Sequence, residues 1–117
     1  MADNAVDRNT LETLKSTTDG DFVSELIDTF LDDAPTQLET MTSALAENDS
    51  ERFRRAAHSL KSNAATLGAL SLSESSKELE MMGKSGDISA ASPKLDALGE
   101  AYAKVVSALE EYQDELK

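Results

Sequence analysis

The segment AAHSLKSNAATLGA, residues 56–69, has the apolar spacing that is typical of a helix buried on one side. At about 100° per residue, its apolar positions fall on one stripe together with a phenylalanine one turn upstream. The stripe consists of Phe53, Ala56, Ala57, Leu60, Ala64 and Leu67. His58, the only histidine of the chain, lies more than about 120° from the centre of this stripe. The pattern therefore predicts a helix that packs into a core and exposes an imidazole to solvent.

Cations and small side chains surround His58 on the outer face of this helix. Lys61 lies one turn beyond the histidine and within about 60° of it, so its ammonium group can reach a group bound there. The same face and its edges carry Arg54, Arg55, Ser62, Ala65 and Ala69. Small residues would allow a second protein to approach the helix closely, and the arginines would attract an acidic partner. We therefore expect these five residues to form a docking face around His58.

The remaining sequence shows the same three-four spacing of apolar residues in four further segments, with short polar turns between them. Including the histidine helix, the expected helices cover about residues 7–15, 21–47, 49–67, 70–82 and 93–116. Almost no segment has the alternating pattern of a strand. We therefore predict an all-α fold, an up-and-down four-helix bundle with a short extra N-terminal helix. A length of 117 residues is enough for one such domain, which would span residues 1–117.

Three local signals define where these helices are expected to begin or break. Pro35 lies inside the second segment and should kink or interrupt it, because proline lacks an N–H and clashes with the preceding turn. Asn48 and Glu51 have the offset of a capping box, which places the cap of the histidine helix at Asn48. Ser92 and Pro93 are expected to be the cap and the first position of the last helix.

The last helix permits a second interpretation. Its apolar residues keep an unbroken spacing from Leu95 to Leu116, which could also form an intermolecular coiled coil. The other helices need a partner face, however, so we expect this stripe to pack inside its own bundle. We therefore expect a monomer.

The composition excludes several classes of function. A formal net charge of -12 argues against a nucleic-acid-binding surface, which needs clustered lysine and arginine. The chain has no cysteine, so it can form neither a disulfide nor a thiolate metal site. The N-terminus does not resemble a signal peptide, and no apolar run reaches the roughly 18 residues of a membrane span. We therefore expect a cytoplasmic protein that binds neither nucleic acid nor a membrane.

The exposed histidine indicates phosphorus chemistry. A surface imidazole is largely neutral near pH 7 and can attack an electrophile, and Lys61 could stabilise a phosphoryl group on its nitrogen. The sequence contains no Gly-rich phosphate loop, no H-E-x-x-H motif and no G-x-S-x-G motif, and one histidine cannot form a His-rich metal site. The second half of any such reaction must therefore come from a partner. From the residues alone, an ordinary polar histidine on the surface is an equally open interpretation.

Several segments resemble the pattern of histidine-containing phosphotransfer (HPt) domains of two-component phosphorelays. The sequence HSLKS at residues 58–62, followed by LGA at residues 67–69, is similar to the H-x-L-K-G/S…L-G-A signature of that family. The other similar segments are FLDDAP at residues 30–35, the Asn48-Asp49 turn and the turn at residues 85–87. These dispersed matches stand in the right order, and the resemblance covers about residues 9–115.

The resemblance implies that His58 accepts a phosphoryl group from an aspartyl phosphate on a response-regulator receiver domain, or passes one to it. Lys61 matches the lysine that steadies the phosphoryl group. Ser62 replaces a frequent glycine, and Asn63 stands where a small residue is usual and receives no role. The family further implies partner receivers or a hybrid sensor kinase, a divalent metal on the receiver and no cofactor on this chain. The chain would then be a phosphoryl carrier without kinase activity of its own.

Two other functions remain open at this point. The dimerising histidine domain of a sensor kinase also displays a histidine on a bundle helix, but it usually has an acid directly after the histidine and a proline or threonine shortly beyond. Ser59 and Asn63 occupy those places here. A helical adaptor that docks a receiver without accepting phosphate would present the same face, and direct phosphorylation would distinguish it.

Overall fold

The computed structural model describes residues 5–117 and shows an all-α protein, as predicted. Within these residues the chain forms five helices and no strand. The helices are α1 (Arg8–Thr17), α2 (Gly20–Glu47), α3 (Ser50–Thr66), α4 (Leu70–Ser85) and α5 (Ser92–Leu116). Short turns join the four long helices in up-and-down order after α1, so the predicted bundle with an extra N-terminal helix is confirmed. No helix in this part of the chain is both long and apolar enough to cross a membrane.

The four long helices pack around one hydrophobic core. α3 packs against α2 and α4, and α5 closes the bundle against the same two helices. The apolar stripe of α3 points into this core, because each of its six residues is at most 3% exposed. The largest buried side chains of the other helices include Leu11, Ile27, Met41, Leu72, Leu79, Leu98, Leu109 and Tyr112. α5 therefore uses its apolar stripe inside the bundle, which leaves Val105 and Leu109 unavailable for an intermolecular coiled coil.

Pro35 does not interrupt α2, so the predicted interruption is wrong, whereas the alternative of a kink stays a prediction. The helix runs without a break from Gly20 to Glu47, with Pro35 inside it. The proline is exposed, whereas Ala34 beside it is buried. The missing N–H therefore falls on the solvent side of the helix, where water can bond the carbonyl that is left without a partner. α2 packs against α3 and α5, and this packing helps to maintain the helix across Pro35.

The caps of α3 and α5 each differ by one residue from the prediction. Asn48 ends α2 in the left-handed conformation, with φ of 55°, and Asp49 is the N-cap of α3, where its side chain accepts a 3.1 Å hydrogen bond from the Arg52 N–H. Asparagine adopts left-handed backbone more readily than most residues, which explains its place at the helix end. Ser92 is already helical, and the cap of α5 is Ala91, which has no side-chain hydrogen bond.

α1 is fastened to the turn that follows α3. The N–H of Asp7 donates a 2.7 Å hydrogen bond to the carbonyl of Gly68, and a Cβ atom at Gly68 would lie only 2.8 Å from the Asp7 carbonyl oxygen. Gly68 also has φ of 80°, a conformation that favours glycine. At the other side of α1, Tyr112 of α5 donates a 2.9 Å hydrogen bond to Glu12, and burial together with this bond raises the pKa of Tyr112 to about 12. The close approach to Asp7 and the positive φ make Gly68 a structural residue.

Candidate functional site

His58 lies in the middle of α3, on the side opposite to the core. The buried residues Ala57 and Leu60 stand beside it along the helix, whereas the side chain of His58 is 54% exposed. The outward orientation predicted from the helical phase is confirmed. The imidazole is directed toward α4, where its Nδ1 atom contacts a carboxylate.

Glu80 of α4 joins His58 and Lys61 into one cluster. One carboxylate oxygen of Glu80, Oε2, lies 2.8 Å from Nδ1 of His58, and the other, Oε1, lies 2.6 Å from Nζ of Lys61. The Glu80 side chain is only 14% exposed, so this carboxylate is held at the groove between α3 and α4. Lys61 therefore lies beside His58, as its position on the helix predicted. We call these three residues the histidine cluster.

Glu80 was not among the residues predicted from the sequence, although one signal pointed to it. Glu80 directly follows the core residue Leu79, and Gly83 one turn later is also buried. A carboxylate at the edge of a buried helix face is expected to have a partner, because ionised side chains are almost never buried alone. The spacing along α4 does not say which helix supplies that partner. The partner depends on the register between α3 and α4.

Lys61 keeps the Glu80 carboxylate ionised. Its ammonium group donates a hydrogen bond that lowers the pKa of Glu80 below the ordinary value for glutamate; burial opposes this change and the bond to His58 supports it. A carboxyl group with a lowered pKa in the folded state contributes stability above its unfolded pKa, and the contribution is lost as the pH falls through the lowered value. We therefore expect the histidine cluster to be intact at neutral pH and to open only in acid.

A close approach between α3 and α4 brings Glu80 within reach of His58. Gly83, one turn after Glu80, lies against the backbone of Arg54, and a Cβ atom on this glycine would be only 2.8 Å from the Arg54 Cβ. Further along the same pair of helices, the Ser73 hydroxyl donates a 3.0 Å hydrogen bond to the carbonyl of Lys61. Small side chains on α4 thus let the two helices pack closely enough for one carboxylate to span them.

Gly83→Ala is expected to push α4 away from α3 and to weaken the contact between Glu80 and His58. The added methyl group would meet backbone and Cβ atoms of Arg54, which cannot move aside as the end of a flexible side chain can. Overpacking of this kind costs roughly 1 to 3 kcal/mol of unfolding free energy. Urea denaturation measures the loss, and the NMR signals of the imidazole nitrogens report the contact with Glu80.

Gly99→Ala is the matched control, because a Cβ atom at Gly99 would meet nothing within 4 Å. This helical glycine lies on α5, where alanine is expected to stabilise the protein by roughly 0.5 to 1 kcal/mol. A Gly83→Ala protein as stable as the wild type would contradict the close packing described above.

Four of the five residues predicted to form the docking face lie on α3 outside its buried stripe. Ser62 and Ala65 are exposed on the same side as the imidazole, and Arg55 is exposed one turn before it. Arg54 is partly buried beside α4, and its Nη2 atom lies 2.6 Å from Oε2 of Glu51, which lowers the pKa of Glu51. The docking role of these residues stays a prediction, and only their placement is established.

Ala69 does not belong to this face, and its assignment to the docking surface is wrong. The residue is 0% exposed and packs in the core. α3 ends at Thr66 and the chain turns at Gly68, so the helical phase of His58 does not continue to residue 69. Ala69 is instead the N-cap residue of α4.

Asn63 lies on the opposite edge of α3, toward α2. Its side chain is exposed, and its Nδ2 atom donates a 3.4 Å hydrogen bond to Oδ2 of Asp33. Asn63 therefore links α3 to α2, whereas Glu80 links α3 to α4. One edge of α3 thus bonds an aspartate of α2 through an amide, and the other edge bonds a glutamate of α4 through the imidazole.

Comparisons with known proteins relate this fold and site to one family. A family model described as Hpt domain matches residues 25–114. The structure is similar to the crystal structure of histidine-containing phosphotransfer protein B (HptB) from Pseudomonas aeruginosa PAO1, with a TM-score of 0.90 and 26% identity over 97% of each chain. The HPT domain of a sensor hybrid histidine kinase from Shewanella shares the fold, with a TM-score of 0.82 and 20% identity over 98% of each chain. No curated protein sequence matches this chain significantly.

Proposed function

The chain belongs to the Hpt domain family of histidine phosphotransfer proteins, which act in two-component phosphorelays, and from this premise we propose that His58 carries the phosphoryl group. His58 receives the group from an aspartyl phosphate of a response-regulator receiver domain and passes it to another receiver. The observation that carries this proposal is the exposed imidazole of His58, which Glu80 holds through one of its two nitrogens.

Glu80 leaves one nitrogen of His58 free to react. A carboxylate can only accept hydrogen bonds, so a contact of 2.8 Å favours the tautomer in which Nδ1 carries the proton. Nε2 then has the free electron pair and points away from Glu80, on the opposite side of the ring. The carboxylate thus orients the ring and sets its tautomer, as the buried aspartate does for the histidine of a serine-protease triad. We therefore assign Nε2 as the nucleophile.

The transfer step needs no proton movement on this chain. The Nε2 electron pair forms a bond to phosphorus while the bond between phosphorus and the aspartyl oxygen breaks, and the aspartate leaves as a carboxylate. The ring then carries a positive charge shared between Nε2 and the protonated Nδ1, next to the Glu80 carboxylate. Glu80 stabilises that charge, and the reverse reaction follows the same path.

Lys61 supplies the positive charge for the phosphoryl oxygens. At rest its ammonium group lies 2.6 Å from Glu80 Oε1, one helical turn from His58. An ammonium group has three donors, so Lys61 can keep the bond to Glu80 while it donates a second one to a phosphoryl oxygen. Glu80 thus contacts both side chains that act on the phosphoryl group. The nitrogen of His58 bonds the phosphorus, and the ammonium group of Lys61 neutralises the phosphoryl oxygens.

Lys61→Ala is expected to slow transfer in both directions about tenfold or more while the protein stays folded. A charge-assisted hydrogen bond to a phosphoryl group contributes roughly 1.5 to 3 kcal/mol, of which part acts in the transition state. Rapid-quench measurements with labelled receiver give both rates. The matched control is Lys94→Ala, which removes an exposed lysine of α5 and should leave the rates unchanged. Unaltered rates in Lys61→Ala would show that Lys61 is only a surface residue.

The receiver supplies the rest of the chemistry. We propose that it provides the aspartate, a divalent metal and the in-line geometry, whereas this chain is a carrier without kinase or phosphatase activity and without a cofactor. Across residues 5–117, no three His, Cys, Asp or Glu side chains converge as metal ligands would. A receiver or a hybrid sensor kinase is therefore the proposed partner.

We further propose that the protein acts in the cytoplasm as a monomer. Sedimentation equilibrium measures the oligomeric state.

Phosphorylated receiver incubated with this protein tests the proposed function. We expect one phosphoryl group per chain, labile in acid and stable in base, with the phosphorus on Nε2 in the ³¹P and ¹⁵N NMR spectra. A phosphohistidine on Nδ1 would contradict the orienting role of Glu80. A chain that binds the receiver and takes no label would be an adaptor, which would overturn the proposal.

A further inference from the structure

Two cationic residues flank His58 along the edge of α3 that packs against α4. Arg54 precedes the histidine by four residues and Lys61 follows it by three, so both lie within about 60° of it around the helix. Their contacts identify the edge, because Lys61 bonds Glu80 of α4 and the backbone of Arg54 lies against Gly83 of the same helix. The imidazole, which also bonds Glu80, therefore stands between a turn that carries a lysine and a turn that carries an arginine.

The imidazole extends toward the turn that carries Arg54. Side chains of a helix tilt toward its N-terminus, so each side chain covers the turn that precedes its own Cα atom. The electrostatics agree with this placement. The hydrogen bond to Glu51 raises the pKa of Arg54 above its ordinary value, burial opposes the rise, and the negative charge of Glu80 adds to it. Arg54 therefore lies close enough to the histidine cluster to interact with its charges.

Glu51 holds the guanidinium group of Arg54 at rest. Nε of Arg54 lies 3.0 Å from Oε1 of Glu51, and Nη2 lies 2.6 Å from Oε2, so the pair is bidentate. The pair is open to solvent, because the Arg54 side chain is 32% exposed and the Glu51 side chain is 59% exposed. Ion pairs at such positions contribute little free energy. A stronger anion near His58 can therefore take Arg54 from Glu51.

Glu51 has a second cation that stays with it when Arg54 leaves. Nε of Arg55 lies 3.8 Å from Oε2 of Glu51, one turn along the same helix. The departure of Arg54 therefore does not leave an unpaired carboxylate, and only side-chain rotations are needed. Arg54 and Arg55 differ in this respect, because Arg54 alone has its backbone against α4 at Gly83.

Phosphorylation of His58 would leave the histidine cluster with an excess of negative charge. At rest Glu80 and Lys61 neutralise each other. A phosphoryl group adds a charge of about -1.5 to -2 and the phosphorylated ring adds one positive charge, so the cluster is left at about -0.5 to -1. One more cation balances this charge, and Arg54 can supply it from the adjacent turn.

We propose that Arg54 moves from Glu51 to the phosphoryl group when His58 is phosphorylated, and that it stabilises phosphohistidine together with Lys61. This inference rests on the proposed function of His58. A guanidinium group offers two parallel N–H donors to phosphoryl oxygens, as it does to the Glu51 carboxylate at rest. Glu51 and the phosphoryl group thus compete for Arg54, and this competition sets how much phosphohistidine forms at equilibrium.

The equilibrium constant of phosphoryl transfer distinguishes this role from a role in docking. A docking residue changes the forward and reverse rates by the same factor, whereas a residue that bonds the phosphoryl group in phosphohistidine shifts the equilibrium. Arg54→Gln removes the charge and keeps the Cβ atom that lies against Gly83. The probe is the receiver domain of the same genome that exchanges label fastest with the wild-type chain. We expect the constant for phosphohistidine formation to fall about threefold or more.

Arg52→Gln is the matched control. Arg52 also pairs with a glutamate, because its Nη1 atom lies 2.8 Å from Oε1 of Glu47, but this pair joins α3 to α2. Its loss should change the constant by less than about 1.5-fold, because distant exposed charges are screened. Phosphoprotein made with phosphoramidate gives a second measurement without a receiver. In ³¹P NMR titrations, Arg54→Gln should raise the pKa of the phosphoryl group and Arg52→Gln should not, because a nearby cation favours the dianion.

Glu51→Gln is expected to act in the opposite direction. The phosphoryl group then no longer competes with a carboxylate for Arg54, so the constant for phosphohistidine formation should rise about twofold. The gain should vanish in a protein that carries both Glu51→Gln and Arg54→Gln, because Glu51 acts through Arg54. Circular dichroism and urea denaturation confirm that every variant is folded.

Each other result overturns the inference. Slower transfer in both directions with an unchanged constant would make Arg54 a docking residue. An equal fall of the constant in Arg52→Gln, or a gain from Glu51→Gln that persists without Arg54, would show that only net charge matters. In these cases label on His58 leaves the proposed function standing. If the wild-type chain takes no label from a receiver or from phosphoramidate, the proposed function and this inference both fail.

Discussion

His58→Gln is expected to reduce phosphotransfer to background, whether the donor is a phosphorylated receiver or a small molecule such as phosphoramidate. The change removes the Nε2 nucleophile, and the chain has no second histidine to replace it. The glutamine amide can still donate a hydrogen bond to Glu80, so the groove between α3 and α4 keeps a polar contact at this place. Because the His58 side chain is exposed, the unfolding free energy should change by no more than about 1 kcal/mol.

Ser62→Ala is the control for His58→Gln. Ser62 has the nearest exposed hydroxyl one turn along the same face, and its removal should leave the label intact. Label that survives in His58→Gln and disappears in Ser62→Ala would move the phosphoryl group from the histidine to the serine. Label that survives in both proteins would place it outside this face of α3.

Ala65→Glu is expected to lower transfer from a receiver at least about tenfold, because like charges placed together at an interface cost several kcal/mol. Ala65 is exposed two turns beyond His58, and a glutamate there adds both bulk and negative charge where an acidic receiver must dock. The position does not contribute to the core, so the loss of stability should stay within about 1 kcal/mol. Transfer rates from labelled receiver and urea denaturation measure the two effects.

Phosphoramidate separates docking from chemistry in the Ala65→Glu protein. This small donor needs no docking surface, so it should still phosphorylate His58. Ala103→Glu is the matched control, because it makes the same change at an exposed position of α5. Normal receiver transfer in Ala65→Glu, or the loss of both donors in a folded protein, would show that the docking face is not the one inferred from the helical phase.

The histidine helix illustrates how much the sequence predicts about the site. A helix repeats every 3.6 residues, so the buried positions of α3 determine which residues face out. His58, Ser62 and Ala65 were placed correctly on this basis, and Lys61 was placed correctly beside the imidazole. This reasoning needs no knowledge of any other helix, because both faces belong to one continuous segment.

The helical phase of α3 does not predict the orientation of residues beyond the end of the helix. Ala69 was assigned to the outer face by extending the period of α3, but the left-handed turn at Gly68 reorients the chain and buries Ala69 in the core. Asn48 was taken as the cap of α3 and instead ends α2, one residue before the true cap at Asp49. Both residues lie at helix ends, where polar and small side chains fit several backbone conformations and contacts with other elements select one of them.

The sequence by itself determined the helical content, the bundle and the exposure of His58, because each follows from the periodicity of residues close together in the chain. Only the tertiary structure decided that Glu80 holds both His58 and Lys61. That contact joins residues 22 positions apart and depends on the register and separation of α3 and α4. The backbone of Arg54 against Gly83 sets the separation, and the burial of leucines from both helices in one core sets the register. The period of a single helix encodes neither the separation nor the register, because both arise from the packing of two helices against each other.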